Sequence, residues 1–237
     1  MFEHLRQALL LFIVLLLSIA LHEFGHAKMA DLLGDPLPRS QGRVTLNPVA
    51  HWDLLGTIII PGIMILLPVF TGSSLPFALI GWGKPVMISL PNRKTRVRDD
   101  ILITLAGPAM NLLIAFVVVL VAGLAVRFGT PPTEAADIAF RERIADFAAN
   151  IILLNVFLLA FNLVPIPPLD GSHILRHLTR MKDETYLWLS RNSLWILLVL
   201  INIPVGGKTL MMWLATPFLY AAGGPLLWLF GVLSGSR

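Results

Sequence analysis

Apolar and polar positions alternate along this chain in long blocks rather than in short periods. A near-continuous apolar run, 8–21, opens into a polar-studded second half, and the pattern predicts one helix over 5–33, stopped by Gly34 and the Pro36/Pro38 pair. A polar stretch, 34–53, follows with turn and extended signals in RSQGRVTLNP. Residues 54–83 are uncharged but interrupted by Pro61-Gly62, Pro68, TGSS (71–74) and Pro76. That run is too long and too broken for one helix, and too short for two full spans. The stretch KPVMISLPNRKTRVRDD (84–100) is basic and partly strand-like. Clean spans are expected at about 100–126 and 147–165; the second ends in VPIPPLDGSH, whose three prolines force the backbone out of helix. After a charged segment, two further spans close the chain and meet near 204–207.

The expected fold class is therefore an all-α polytopic membrane protein. It has about five to six transmembrane helices, each needing about 20 apolar residues. A re-entrant or bent hairpin and a short extended segment are expected between the first helix and the helix carrying LAGPAMN (105–111). The whole chain, 1–237, reads as a single integral-membrane domain, with a core at about 5–175 and C-terminal helices at about 186–235.

Composition agrees with that reading. Only 14% of residues are charged and 56% are hydrophobic, against about 25% charged in an ordinary soluble domain. The mean hydropathy is +0.79. A net charge of +4 would point to nucleic acid in a soluble chain; here it reads as loop charge that sets topology, and no nucleic-acid partner is expected. Lys84, Arg93, Lys94, Arg96 and Arg98 form one basic cluster, and Arg176, Arg180, Lys182 and Arg191 another, whereas the loop 127–146 balances three arginines with four acids. The two clusters are expected in the cytoplasm and the balanced loop outside, in a multi-pass protein of the prokaryotic cell (inner) membrane, embedded in the lipid bilayer. The absence of cysteine excludes disulfides and thiolate metal sites.

His22, Glu23 and His26 break the apolar pattern of the first helix. Residues four apart project from one helix face, so both imidazoles can reach one metal ion, with Glu23 beside it to handle a proton. Ionisable groups at membrane depth cost about 2.5–3.5 kcal/mol each on insertion scales, which weighs against idle placement. A catalytic zinc takes three protein ligands and one open position, so a third ligand must come from elsewhere. Asp31, Asp53, His51 and Asp170 are candidates, with Asp170 favoured by its place at the broken end of an uncharged span. An Asp-Gly turn that merely caps the next helix is the competing reading of Asp170. His51 is a possible neighbour of the site, and His4, His173 and His177 read as solvated interface histidines. Asn111, with Gly107 and Pro108, reads first as close helix packing, as does Asn155.

The order LHEFGH, LAGPAMN, NLVPIPPLDG on hydrophobic segments resembles the site-2 protease family of intramembrane zinc metalloproteases, over 21–175. The resemblance implies one catalytic zinc ion held by His22, His26 and Asp170, with Glu23 as the catalytic acid/base. Asn162 matches the asparagine before the family's proline-rich turn and would help position the substrate strand; His51 and Asn111 are further positioning candidates. GWGKPV (81–86) resembles a feature of small members, and the chain has no room for PDZ or CBS domains. The implied partner is a transmembrane protein, cut within or near its membrane segment. A metal-binding transporter and an inactive pseudoprotease are the alternatives; no internal repeat supports the first, and an intact Glu23 argues against the second.

If His22, His26 and Asp170 share one ion, they lie at one depth. Their helices then run the same way, and the region 54–83 must return to the side it left. That arrangement places the site toward the cytoplasm, the N-terminus outside and the C-terminus inside, with a six-helix chain whose N-terminus is cytoplasmic as the alternative.

Overall fold

The structure is a computed structural model that describes residues 2–71, 81–92, 94–129 and 135–235. Its elements are α1 (Phe2–Leu32), α2 (Leu37–Ser40), a 3-10 turn (Pro48–His51), a wide helical turn (Leu54–Ile59) continuing into α3 (Ile60–Thr71), α4 (Arg96–Phe128) and α5 (Ala135–Asn162). After these come α6 (Gly171–Leu178), α7 (Asp183–Arg191), α8 (Ser193–Asn202), a hairpin of β1 (Pro204–Val205) and β2 (Lys208–Thr209), and α9 (Leu210–Ser234). Among the described residues, five helices are long and apolar enough to cross a membrane: Phe2–Leu32, Leu54–Thr71, Arg96–Phe128, Asp137–Asn162 and Leu210–Ser234. The chain is an all-α polytopic membrane protein.

Helix directions follow from contacts between named residues. His22 and His26 of α1 meet Asn111 and Ile103 of α4, so these helices are antiparallel. Asn111 also meets Asn155, and Arg141 bonds the Val126 carbonyl, so α5 is antiparallel to α4 as well. Helices α1 and α5 therefore run the same way, and the chain emerging from α5 arrives at the histidine end of α1. Helix α9 runs with α4, placing Leu226 and Phe230 against Ala115, Val119, Ala148 and Ile152, and Val232 beside Arg127. The C-terminal end of α9 therefore lies at the end of the bundle opposite the histidines, on the side of the N-terminus, which corrects the expectation that the two termini face opposite sides. A second core forms where Leu159, Phe161, Val164 and Leu169 pack on Leu197, Leu200, Ile201, Met211 and Ala215.

The hairpin expectation depends on what lies between α1 and α4. Asp53 caps the wide turn by accepting from Leu55 and Gly56 N–H, and α3 then leads away along α1, with Ile65 packed among Ala8, Leu15 and Ile19. The chain is back at its departure point by Trp82. The Trp82 N–H donates to the Gly56 carbonyl (3.0 Å), the Thr57 hydroxyl donates to the Trp82 carbonyl (2.7 Å), and the Lys84 N–H donates to the His51 carbonyl (2.8 Å). The excursion thus leaves and returns at one end of the bundle. TGSS beyond Thr71, Pro76 and Arg93 lie outside the described residues.

Three further expectations are corrected. The segment 84–92 forms no strand, because side chains satisfy its backbone: Gln41 bonds both the N–H and the carbonyl of Met87, and Asp35 holds Ser89 and Leu90. Helix α5 begins at Ala135, so residues 135–146 are helical rather than loop, with Asp137, Glu142, Arg143 and Asp146 exposed and the half-buried Arg141 bonded to the Val126 carbonyl. The first of the two closing spans is replaced by α7 and the ten-residue α8, split at Asn192, whose side chain bonds back to the Trp188 carbonyl. At about 1.5 Å per residue α8 reaches only about 15 Å, half a bilayer.

Asp35 anchors the returning segment. It accepts from the Leu37 N–H (3.0 Å), the Ser89 N–H and hydroxyl (both 2.6 Å) and the Leu90 N–H (3.2 Å). Burial opposes its charge, but these donors, led by the Ser89 hydroxyl, outweigh burial and hold the carboxyl below the ordinary aspartate range. A depressed carboxyl pKa stabilises the fold above the unfolded value and loses that contribution as pH falls through the folded one. Residues 84–92 are therefore expected to resist limited proteolysis at neutral pH and to open below about pH 4. In Asp35→Ala they should be cut at neutral pH; unchanged protection in that variant would show that the anchor is dispensable.

Candidate metal centre

His22, His26 and Asp170 come together at the end of α1. His22 Nε2 lies 3.1 Å from His26 Nε2 and 3.2 Å from Asp170 Oδ2, and His26 Nε2 lies 3.4 Å from Asp170 Oδ1. Among the described residues, these three form the group of His, Asp or Glu side chains whose ligating atoms all lie within 4.8 Å of one another. A tetrahedral ion with bonds of about 2.0–2.1 Å separates its ligand atoms by about 3.3–3.4 Å. The site has that spacing.

The hydrogen positions follow from a chain of acceptors. The Ile151 carbonyl can only accept, so the Asn155 Nδ2 bonded to it donates (3.0 Å) and Asn155 Oδ1 is free to accept. It accepts from Asn111 Nδ2 (3.1 Å), which leaves Asn111 Oδ1 to accept from His22 Nδ1 (2.7 Å). His26 Nδ1 donates to the Ile103 carbonyl (2.7 Å). Both imidazoles therefore carry a hydrogen on Nδ1, which turns both Nε2 atoms toward each other and toward the Asp170 carboxylate. Asp170 Oδ2 is buried without a hydrogen bond, although it lies beside His22. Three electron-rich atoms at such distances are stabilised by a cation between them, and the residues present fit a metal.

Local sequence explains how each group arrives. The turn after α5 buries Val164 and Leu169, and Pro165, Pro167 and Pro168 keep the backbone out of helix until Asp170, which begins α6. On α4, Asp100, Ile103, Gly107 and Asn111 recur at helical spacing and line the face toward α1 and α6. Gly107 is required there, because a Cβ would overlap Nε2 of His26 and stand 2.7 Å from Cε1 of His22. Glu23 lines the same cavity of about 590 Å³ as His26 and Asp170, and its carboxylate makes no hydrogen bond among the described residues. Gly83 passes over Glu23 so closely that a Cβ would lie 2.8 Å from Oε1.

The other candidates fall elsewhere. Asp31 pairs with Arg39, Asp53 caps the wide turn, and His51 is fully buried with Nε2 donating to the Thr45 carbonyl. Burial pushes the His51 pKa down, which keeps that ring neutral. Its carbonyl, accepting from Lys84, braces the segment that covers Glu23. Asn162 donates to the Leu158 carbonyl of its own helix.

Two readings are corrected. Asn111 and Asn155 do more than pack, since they orient His22. His173 and His177 are not merely solvated, since both pair with the buried Asp100. Asp100 escaped sequence reasoning, although its spacing to Asn111 along one helix face was the available signal, whereas Gly107 serves the close helix packing expected of it. Arg43, buried and donating to the Ala50 carbonyl, carried no such signal.

Fold and site define a polytopic membrane protein with a His-His-Asp metal-binding constellation. Residues 10–201 match the model of peptidase family M50, and the chain belongs to that family of membrane zinc metalloproteases. It is 32% identical over 230 residues to "Putative zinc metalloprotease YwhC" of Bacillus subtilis (strain 168), covering 94% of this chain and 91% of the relative. It is 33% identical over 223 residues to "Putative zinc metalloprotease Rip2" of Mycolicibacterium smegmatis, covering 89% and 76%. The Rip2 of Mycobacterium tuberculosis (strain H37Rv) is 31% identical over 193 residues, covering 80% of this chain and 65% of that protein. No solved structure matches.

Partners behind a metal-ligating histidine are worth about 10–100-fold in metal affinity. Asn111→Ala removes the acceptor of His22 Nδ1 and is expected to weaken zinc binding by about that factor, measured by competition with a chelator. Wild-type affinity in this variant would sink the role assigned to the asparagine pair.

Proposed function

We propose that this chain is an endopeptidase with one catalytic zinc ion, hydrolysing peptide bonds within or near the transmembrane segments of other membrane proteins. The observation that carries the reading is three ligand atoms converging on one point beside the Glu23 carboxylate, on a helix long and apolar enough to cross a membrane. His22, His26 and Asp170 would hold the ion, which when bound supplies Lewis-acid activation of water and of the peptide carbonyl. Glu23 accepts the proton of the attacking water as it adds to the carbonyl carbon. It then delivers that proton to the leaving amine as the C–N bond breaks.

Depth along α1 supports a membrane substrate. From Ala8 to His22 the helix rises about 21 Å, against a hydrocarbon thickness of about 30 Å. The site thus lies inside the apolar layer, near one face of it. A transmembrane substrate must unwind locally before its carbonyl is reachable, because helical carbonyls are hydrogen-bonded; Gly, Pro or polar residues near the cut lower that cost. Pro85, Val86, Ile88 and Leu90 line the cavity, and this segment would hold an unwound stretch against it. The basic clusters around Lys84–Arg98 and Arg176–Arg191 favour a cytoplasmic site in a prokaryotic inner membrane.

The chain reconstituted in vesicles with a model transmembrane substrate tests this reading. Glu23→Gln is expected to keep its zinc and lose about 10²–10⁴-fold in cleavage rate. Full activity in that variant would refute the proton-transfer role, and cleavage confined to soluble peptides would refute the membrane substrate. An impermeant label at residue 2 is expected to react from outside the cell; reaction only from the cytoplasm would overturn the orientation.

A further inference from the structure

Arg43, in the loop between α2 and the 3-10 turn, is only 5% exposed. Among the described residues its side chain makes one hydrogen bond, to the Ala50 carbonyl, and no ion pair. Arginine is rarely buried without a carboxylate partner, because its charge loses the solvation of water. A neutral donor would satisfy one carbonyl at a smaller penalty, so the retained charge calls for a role of its own.

That charge acts on Glu23 and on His51. His22, His26 and Asp170 also act on Glu23, but they belong to the ligand set. Arg43 does not, and its guanidinium stays charged at any working pH. The Glu23 carboxylate, which makes no hydrogen bond among the described residues, thus has in Arg43 a fixed cation within electrostatic reach.

Hydrogen bonds join the same residue to the cover of Glu23. The Arg43 N–H donates to the Pro38 carbonyl (2.9 Å), anchoring the backbone at α2 while the side chain crosses to Ala50. His51 Nε2 donates back to the Thr45 carbonyl (2.9 Å), so two side chains close the loop 43–51 on itself. The His51 carbonyl then accepts from the Lys84 N–H (2.8 Å), and the adjoining Gly83 is the residue pressed against Glu23. Pro85, Val86, Ile88 and Leu90 continue from there along the cavity wall.

We propose that Arg43 is a positioning residue of the Glu23 site: it braces the loop 43–51 so that Gly83 and the segment after it stay over Glu23, and it supplies a fixed positive charge within reach of that carboxylate. The inference rests on the endopeptidase reading above and adds to it a residue outside the ligand set. Its two contributions are separable, since the brace needs a donor and the field needs a charge.

The full-length chain in vesicles, carrying Arg43→Met, Arg43→Gln or Arg43→Lys, is assayed for zinc affinity, for limited proteolysis of 84–92 and for cleavage of a model transmembrane substrate. Arg43→Met is expected to hold zinc within about 2-fold of wild type, unlike a partner bonded to a ligand histidine. In that variant 84–92 should be cut at neutral pH, kcat should fall at least about 10-fold and KM should rise. Arg43→Lys, which keeps the charge, should recover more of kcat than Arg43→Gln, which keeps only a donor. Wild-type protection and kinetics in Arg43→Met would overturn the proposal, and so would a kcat recovered as fully by Gln as by Lys. Zinc affinity lost about 10-fold in Arg43→Met would also overturn it, by moving the effect to the ligand set. A wild-type chain that leaves the transmembrane substrate intact refutes the endopeptidase reading instead, and the protection of 84–92 still decides the brace.

Discussion

Two imidazole nitrogens and a carboxylate face one another at 3.1–3.4 Å in an apolar bundle, and the rest of the fold is arranged around keeping them there. Such a cluster is stabilised by a cation within it, and membrane depth gives it no bulk water to turn to. Helix α4 orients both rings by offering only acceptors to the outer nitrogens: the Asn111 amide oxygen to His22 and the Ile103 carbonyl to His26. Asn155 and the Ile151 carbonyl hold Asn111 the right way round, so the orientation of a metal ligand is determined two residues away from it. Gly107 makes the close approach of α4 possible, since a side chain there would occupy the histidine rings.

The same cluster constrains the path of the chain. His22 and His26 stand near the end of α1, and Asp170 follows α5, so the two helices must run in parallel with an even number of crossings between them. Helices α4 and α5 supply one antiparallel pair. The excursion through α3 must therefore come home, and the hydrogen bonds joining residues 82 and 84 to residues 51–57 are where it does. That return has a chemical consequence, because it carries Gly83 over Glu23 and leaves 84–90 along the cavity wall. Asp35 and Gln41 then hold this stretch by side-chain bonds in place of a sheet.

The cavity between α4 and α6 is polar on a scale unusual for a membrane bundle. Along one stripe of α6 lie Asp170, His173 and His177, and opposite them on α4 lie Asp100, Thr104 and Asn111. Asp100 is partnered by His173 and His177, and Asn111 by His22 and Asn155. Ionic contacts of this kind hold α6 against α4, and α6 in turn fixes the aspartate that begins it. A segment of only eight residues, too short to be stable alone, is thereby made rigid enough to present a ligand.

The linear sequence by itself determined the membrane class, the helix of α1, the His22–Glu23–His26 spacing and the break that delivers Asp170, because each depends on residues close together in the chain. Hydropathy is a local sum, i, i+4 geometry is a property of one helix, and a run of prolines stops a helix wherever it occurs. The requirement that the α3 region return was also legible, as a parity argument from the ligand set. What the tertiary structure alone decided are pairings across 44 to 89 residues: Asn111 with His22 and Asn155, Asp35 with Ser89, and Asp100 with His173 and His177. An asparagine in an apolar helix has the same local signature whether it packs, caps or orients an imidazole. Only the helix brought against it by the fold supplies the partner that tells these roles apart.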